Sequence, residues 1–165
     1  MIQKKICMLG GFGVGKTSLV SRYVHSLFSD QYLTTVGVKI EKKTIDLEKD
    51  RVDLMIWDLY GEDDFQKTRT SYLRGSSGFL LVADGTRRST LATAIALQET
   101  AERAAGHVPF LLLVNKADLS ERWEIDDAAL EHLKGKGWQI LRTSAKTGLE
   151  VETAFAGLAR AMLVS

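Results

Sequence analysis

The segment Gly10-Gly11-Phe12-Gly13-Val14-Gly15-Lys16-Thr17 constrains this chain more than any other. It fits G-x-x-x-x-G-K-[ST] and lies between a strand-like apolar run, Ile6 to Leu9, and an amphipathic stretch that opens at Lys16. Glycines let the backbone curl until successive N–H groups face one centre, and a helix beginning there adds its positive end. The turn is therefore an anion cradle, built from Gly11, Phe12, Gly13, Val14, Gly15, Lys16, Thr17 and Ser18. Lys16 supplies a point charge to the outer phosphates of a nucleotide, and the Thr17 hydroxyl is a hard oxygen ligand for Mg2+.

Around this turn, apolar runs alternate with longer amphipathic stretches, as in βα units whose strands are covered on both faces. Lys5 to Leu9, Phe79 to Ala83 and Phe110 to Val114 are nearly continuous apolar segments and form the middle of a parallel sheet. Val36, Val38 and Ile40 alternate with Gly37, Lys39 and Glu41, and Val52, Leu54 and Ile56 with Asp53, Met55 and Trp57. Only the charged turn Glu48-Lys49-Asp50-Arg51 separates these two segments, too little for a parallel crossover, so they pair as an antiparallel hairpin at the edge. Leu19, Tyr23, Val24 and Leu27 mark a first helix, Thr90 to Ala105 an Ala-rich one, and Ile125, Ala129 and Leu133 another that ends at Gly135. Val151, Ala154, Phe155, Leu158 and Met162 recur at i, i+3, i+4, i+7 and i+11, a stripe that docks on the sheet. A short irregular helix within Phe65 to Arg74 brings the number to five. The pattern predicts a three-layer α/β fold: a mostly parallel six-stranded sheet with one antiparallel edge hairpin. With 165 residues, 45% hydrophobic and 26% charged, the chain has room for one domain.

Three further loops follow apolar strands, where ligands bind in open α/β folds. Trp57-Asp58 ends the inner hairpin strand, and Asp58 is placed to hold magnesium through water. Asn115-Lys116-Ala117-Asp118 follows Phe110 to Val114, and Ser144-Ala145-Lys146 follows Ile140-Leu141. Asp118 selects the base: a carboxylate accepts from the ring N–H and the exocyclic amine of guanine, whereas adenine offers no such donor pair. GTP and GDP are the fit. The Lys116 stem lies along the base plane, the Ala145 N–H meets the guanine oxygen, and Asn115 ties the loops together.

Composition excludes other classes. Twenty-two Lys plus Arg against twenty-one Asp plus Glu leave a net charge of +1, with no general field for nucleic acid or an anionic membrane. The longest apolar runs fall far short of the roughly 20 residues of a membrane span. The first residues carry two lysines in a strand-like stretch, not a secretory signal, so a cytoplasmic protein is expected. Cys7, the single cysteine, reads as core. The charged run Lys39 to Asp53 is either a recognition surface or a solvated hairpin face.

These residues together resemble the Ras-like small GTPases, with all five nucleotide-binding elements in order. Within that family Thr35-Val36-Gly37 and Tyr72-Leu73-Arg74-Gly75 are similar to the switch sequences of the Rab branch. The resemblance implies a P-loop NTPase fold, a single G domain over residues 1–165. It implies binding of GTP and GDP with Mg2+, slow hydrolysis of GTP, and a switch that protein partners read. It further implies that Phe28 stacks edge-on to the guanine, Thr35 completes the magnesium site beside Thr17 and Asp58, and Gly61 senses the γ-phosphate. Glu62, Gly61, Lys16 and Thr35 would form the catalytic group. Ile40, Trp57 and Tyr72 match the apolar triad that Rab effectors read, although sheet packing alone also accounts for Trp57. An exchange factor and an activating protein follow from the same likeness, as does a monomeric state.

Three residues depart from the family pattern. Phe12 stands where a small residue usually flanks the γ-phosphate. Glu62 replaces a glutamine that orients the attacking water, and an ionised glutamate cannot donate to phosphate. Leu59-Tyr60 replaces Thr-Ala at the hinge of the second switch. No cysteine lies near Ser165, so no prenyl anchor is expected on this sequence. A nucleotide-loaded binding module with little or no turnover is the alternative reading; an adenine-nucleotide kinase is disfavoured by Asp118.

Overall fold

A computed structural model describes residues 2–28, 38–59 and 70–164. The chain runs β1 (Ile2–Gly10), α1 (Lys16–His25), β2 (Val38–Leu47), β3 (Asp50–Leu59), α2 (Thr70–Leu73), β4 (Gly78–Asp84), α3 (Ser89–Ala105) and β5 (Phe110–Asn115). A 3₁₀ turn (Ala117–Arg122), α4 (Asp127–Gly135), β6 (Ile140–Arg142) and α5 (Val151–Leu163) complete it. The six strands are ordered β2-β3-β1-β4-β5-β6, and only β2 with β3 is antiparallel. This is the expected α/β sheet with its edge hairpin.

Strand pleating sorts the apolar residues onto two faces. Ile6, Met8, Leu80, Val82, Leu111 and Leu113 face α1 and α5, while Cys7, Leu9, Phe79, Leu81, Leu112 and Val114 face α2, α3 and α4. The result is three layers with a core on each side of the sheet. Cys7 is fully buried, and that burial pushes its thiol pKa up, as befits a core residue. All five residues of the C-terminal stripe are buried, and Phe155 stacks on Tyr23 with ring centroids 4.0 Å apart, joining α5 to α1. Each large apolar side chain buried in this way contributes roughly 1.5–3 kcal/mol before the cost of ordering it.

The structure corrects several boundaries. The hairpin turn is Glu48-Lys49 alone, and Asp50 and Arg51 already pair with Leu47 and Asp46. A two-residue link lets each strand run ten residues. Leu27 is not part of α1: Ser26 adopts the left-handed conformation (φ 56°), its N–H bonds the Arg22 carbonyl, and Leu27 is left exposed. Ile125 is buried but precedes α4, because the Asp126 side chain accepts from the Ala129 N–H and caps the helix there. Of the segment Phe65 to Arg74, only Thr70 onward lies within the described residues. Val36 lies outside them.

From β1 the chain moves to one side through β3, then crosses to the other at β4. The strand order thus reverses around β1, and a crevice opens at the carboxyl ends of the strands. Gly10, Asp58, Asp84, Asn115 and Arg142 all lie at or near those ends.

Candidate functional site

The loop between β1 and α1 takes its shape from glycine. Gly13 and Gly15 have φ of 73° and 103°. A Cβ on Gly15 would lie 2.3 Å from the Asn115 Nδ2, so only glycine fits at the point where this loop meets the loop after β5. Lys16 is 7% exposed, and its Nζ donates to the carbonyls of Gly10 and Gly11 at 3.0 and 3.2 Å. Those bonds draw the ammonium across the loop it is to serve. Ser18 lies in the first turn of α1, behind the loop.

Thr17 Oγ1 donates to Asp58 Oδ2 at 2.6 Å. Two of the three residues expected at the magnesium site, from α1 and the end of β3, therefore lie side by side. A hydroxyl next to one carboxylate is a hard-oxygen pair, and among the described residues no cluster of three His, Cys, Asp or Glu side chains could hold a metal by itself. That donor set suits Mg2+, which keeps waters and takes phosphate oxygens as its remaining ligands.

On the other side of β1, the end of β4 supplies a further carboxylate that belongs to none of the sequence motifs. Asp84 is 1% exposed and accepts from the Thr86 N–H and hydroxyl, from Arg87 Nε at 3.0 Å and from Lys116 Nζ at 2.8 Å. Burial pushes its pKa up, but the bonds from Lys116, Thr86 and Arg87 outweigh burial and hold the carboxyl below its ordinary value. Lys116 Nζ also donates to the Gly13 carbonyl at 3.2 Å, and Arg87 Nη2 to the Phe12 carbonyl at 2.7 Å. The signal was available: Asp84 ends an apolar strand at the same sheet edge as Asp58.

The base loops are tied to the phosphate loop and to each other. Asn115 Nδ2 donates to the Val14 carbonyl at 3.0 Å, and its Oδ1 accepts from the Thr143 hydroxyl at 3.2 Å. Lys116 sits in the left-handed region (φ 73°), unusual for a side-chain-bearing residue, and its carbonyl accepts from Trp123 Nε1 at 2.9 Å. Trp123 fits there because Gly85 has no side chain; a Cβ on it would lie 2.1 Å from the indole. Asp118 is exposed, and its Oδ1 accepts from the buried Ser144 hydroxyl at 2.7 Å, leaving the carboxylate oriented at the mouth of the crevice. Arg22 reaches from α1 to donate to the carbonyls of Ala145 (2.7 Å) and Lys146. Arg22 and Trp123 carry no motif, and only their long-range contacts reveal them.

Phe28 follows α1 and is exposed, as is Phe12 at the loop tip. Thr35, Val36, Gly37, Tyr60, Gly61 and Glu62 lie outside the described residues. On the far side of β1, Ile40 is exposed and faces Trp57 across the hairpin, and Trp57 lies 6.1 Å from Tyr72 between ring centroids. Lys5 Nζ sits 3.8 Å over the Trp57 ring and donates to the Tyr72 and Arg74 carbonyls at 2.5 and 2.9 Å. Trp57 is half-buried in this arrangement and thus serves packing as well as surface.

The profile of the Ras family matches residues 5–164. The chain belongs to that family. It is 32% identical over 162 residues to the Ras-related protein Rab-13 of Canis lupus familiaris, an alignment covering 97% of this chain and 80% of that protein. It is 34% identical over 158 residues to the Ras-related protein Rab-8B of Dictyostelium discoideum, covering 94% and 78%. Rab-13 of Bos taurus is 33% identical over 166 residues, covering 97% and 80%. As a Ras-family protein of the Rab branch, this is a small GTPase that binds GTP and GDP with Mg2+, hydrolyses GTP and acts as a nucleotide-dependent switch for protein effectors and regulators. Among the described residues no helix is long and apolar enough to cross a membrane.

Proposed function

We propose that residues 1–165 form one G domain in which Gly11 to Ser18 bind the phosphates, Thr17, Asp58 and Thr35 hold Mg2+, and Phe28, Asn115, Lys116, Asp118, Ser144, Ala145 and Lys146 hold guanine. The observation that carries this assignment is the continuity of the crevice floor: Asn115 and Lys116 bond the carbonyls of Val14 and Gly13, and Ser144 bonds the carboxylate of Asp118. Phosphate and base elements from the ends of β1, β5 and β6 are thereby joined in one surface. Mg2+, when bound, neutralises charge on the phosphate oxygens. Lys16 adds a positive charge at the outer phosphates, and the loop N–H groups stabilise the charge that develops as water attacks in line. Thr35 and Gly61 order two loops through the γ-phosphate in the GTP form. Effectors then dock on Ile40, Trp57 and Tyr72, and an exchange factor and an activating protein set the timing. The protein works as a cytoplasmic monomer.

Turnover is slow, because Glu62 cannot donate to phosphate and Phe12 fills space beside it. Single-turnover phosphate release from GTP, with ATP as competitor, tests the reading. Slow release of phosphate that excess ATP does not inhibit is expected. Release at the roughly 5–20 s⁻¹ of arginine-assisted GTPases would show that Phe12 and Glu62 do not impair the chemistry. Inhibition by ATP would remove the guanine assignment. GTP bound with no release at all would favour the loaded binding module.

A further inference from the structure

Lys116 is held at both ends from the close of β4. At its head, Nζ bonds Asp84 Oδ2 at 2.8 Å and donates to the Gly13 carbonyl at 3.2 Å. The carboxylate is a fixed anchor: it is buried, its Oδ1 accepts from the Thr86 N–H and hydroxyl, and the Asp84 N–H and carbonyl both bond the Thr90 hydroxyl. At the backbone end, the Lys116 carbonyl accepts from Trp123 Nε1 at 2.9 Å. That indole is seated on Gly85, the residue after Asp84, where a Cβ would lie 2.1 Å from it. The Glu124 N–H donates to the Gly85 carbonyl at 2.8 Å and ties the Trp123 segment to the same residue. Between the two anchors Lys116 takes the left-handed backbone (φ 73°), unfavourable for a residue with a side chain, and its stem reaches from the base loop to the phosphate loop with the side chain 33% exposed.

We propose that Asp84 and Trp123 are positioning residues for the guanine ring that act through Lys116, holding its side chain extended along the crevice before the base arrives. This rests on the nucleotide site proposed above, in which the Lys116 stem lies along the base. A free lysine must give up the rotation of its four-carbon stem to form such a platform, and anchors that already fix both ends remove that cost from binding. The two anchors differ in kind. The carboxylate holds the ammonium through a charge-assisted bond, whereas the indole N–H holds a backbone conformation that lysine does not prefer. The base is common to GDP and GTP, so both nucleotides gain equally.

The test is the release rate of fluorescent GDP, and of a fluorescent non-hydrolysable GTP analogue, from the loaded protein in Mg2+ and excess unlabelled nucleotide. Asp84→Asn should speed release of both about fivefold, and Trp123→Phe, which keeps a ring but lacks the N–H, about threefold. Lys116→Gly takes a φ of 73° unaided and has no ammonium to hold, so in that background neither change should add more than about twofold. Arg87→Met removes the other cation on Asp84 and leaves Lys116 paired, and it should speed release by about twofold only. Absence of acceleration in either single variant, or the same acceleration in the Lys116→Gly background, would overturn the proposal, because a purely structural role does not depend on Lys116. Arg87→Met matching Asp84→Asn would also overturn it, by routing the effect of the carboxylate through Arg87. If Asp84→Asn does not fold, Trp123→Phe decides; if Lys116→Gly does not load, Lys116→Met, which also lacks the ammonium, serves for Asp84. Failure of the unmodified protein to load GDP, or release from the Lys116 variants as slow as from the unmodified protein, would instead overturn the base site itself.

Discussion

The phosphate loop and the guanine loop meet in one crevice but are held in opposite ways. The phosphate loop presents backbone, and its shape is imposed from outside by Arg87, Lys116 and Asn115 on three carbonyls and by the bonds from Lys16 within it. The guanine loop presents a side chain: Asp118 is exposed and leans on Ser144 through one hydrogen bond. Affinity for phosphate is therefore a property of packing, in which a change of shape is costly. Choice of base is a property of one chemical group, which can be exchanged with the fold intact.

Gly15→Ala attacks the first kind of order and carries the largest expected effect. The new Cβ enters the space of the Asn115 amide, 2.3 Å away, at a residue with φ of 103°. The left-handed backbone alone costs about 1–2 kcal/mol for alanine, and displacing Asn115 breaks its bonds to Val14 and Thr143 together. Loss of GDP binding by more than about a hundredfold is expected, with a lowered thermal midpoint, since each tenfold step is about 1.4 kcal/mol. Calorimetric titration and a melt in GDP check it. Near-normal affinity would mean the two loops are not interlocked as described.

Asp118→Asn addresses the second kind. The amide offers a donor where the carboxylate accepted, so guanine loses two charge-assisted bonds and xanthine, with the matching acceptor, gains. GDP affinity should fall about 30- to 150-fold, roughly 2–3 kcal/mol, while xanthosine diphosphate binds better than GDP. The melt of the nucleotide-free variant should match that of the unmodified protein. A large drop in stability would erase the contrast between the two loops, because it would make Asp118 part of the scaffold.

The same contrast governs what could be read from the sequence. Backbone-binding elements leave a dense local signature, so Gly10 to Thr17 was legible from spacing alone, and the strands that carry the site were legible from their apolar runs. Asp58, Asn115 and Asp118 followed as polar residues at strand ends. The side chains that impose shape on the phosphate loop were not. Arg87 lies 75 residues from its carbonyl partner and Arg22 lies 123 from Ala145, and nothing local in either segment announces the contact. Trp123 was invisible for a different reason: its place depends on an absence, the missing side chain of Gly85. Helix ends erred where apolar periodicity outran the backbone, as at Leu27 beyond the left-handed Ser26, and at Ile125 before the Asp126 cap. The roles of Gly61, Glu62 and Thr35, which lie outside the described residues, follow from resemblance, whereas that of Lys16 follows from the motif itself.

A smaller effect concerns the carboxylate behind the phosphate loop and its response to pH. Asp84 is buried and its folded pKa is held below the ordinary carboxylate value by Lys116, Thr86 and Arg87, against burial, which pushes it up. A carboxyl whose folded pKa is depressed binds fewer protons in the folded state than in the unfolded one at acid pH. Its contribution to stability is therefore complete above the unfolded value of about 3.9 and is lost as pH falls through the lower, folded value. Asp84→Asn removes that contribution, and since Lys116 and Arg87 are 33% and 43% exposed, solvent screening keeps the loss at the low end for charged hydrogen bonds, about 1–2 kcal/mol. Urea unfolding in saturating GDP should show this difference undiminished from pH 7 to pH 5. The two curves should converge only below about pH 4, where the unmodified carboxyl itself takes up a proton. If the Asp84→Asn gap instead closes between pH 7 and pH 5, the Asp84 carboxyl titrates at a raised rather than a depressed pKa, and the shared bonds of Arg87 and Lys116 do not dominate its surroundings.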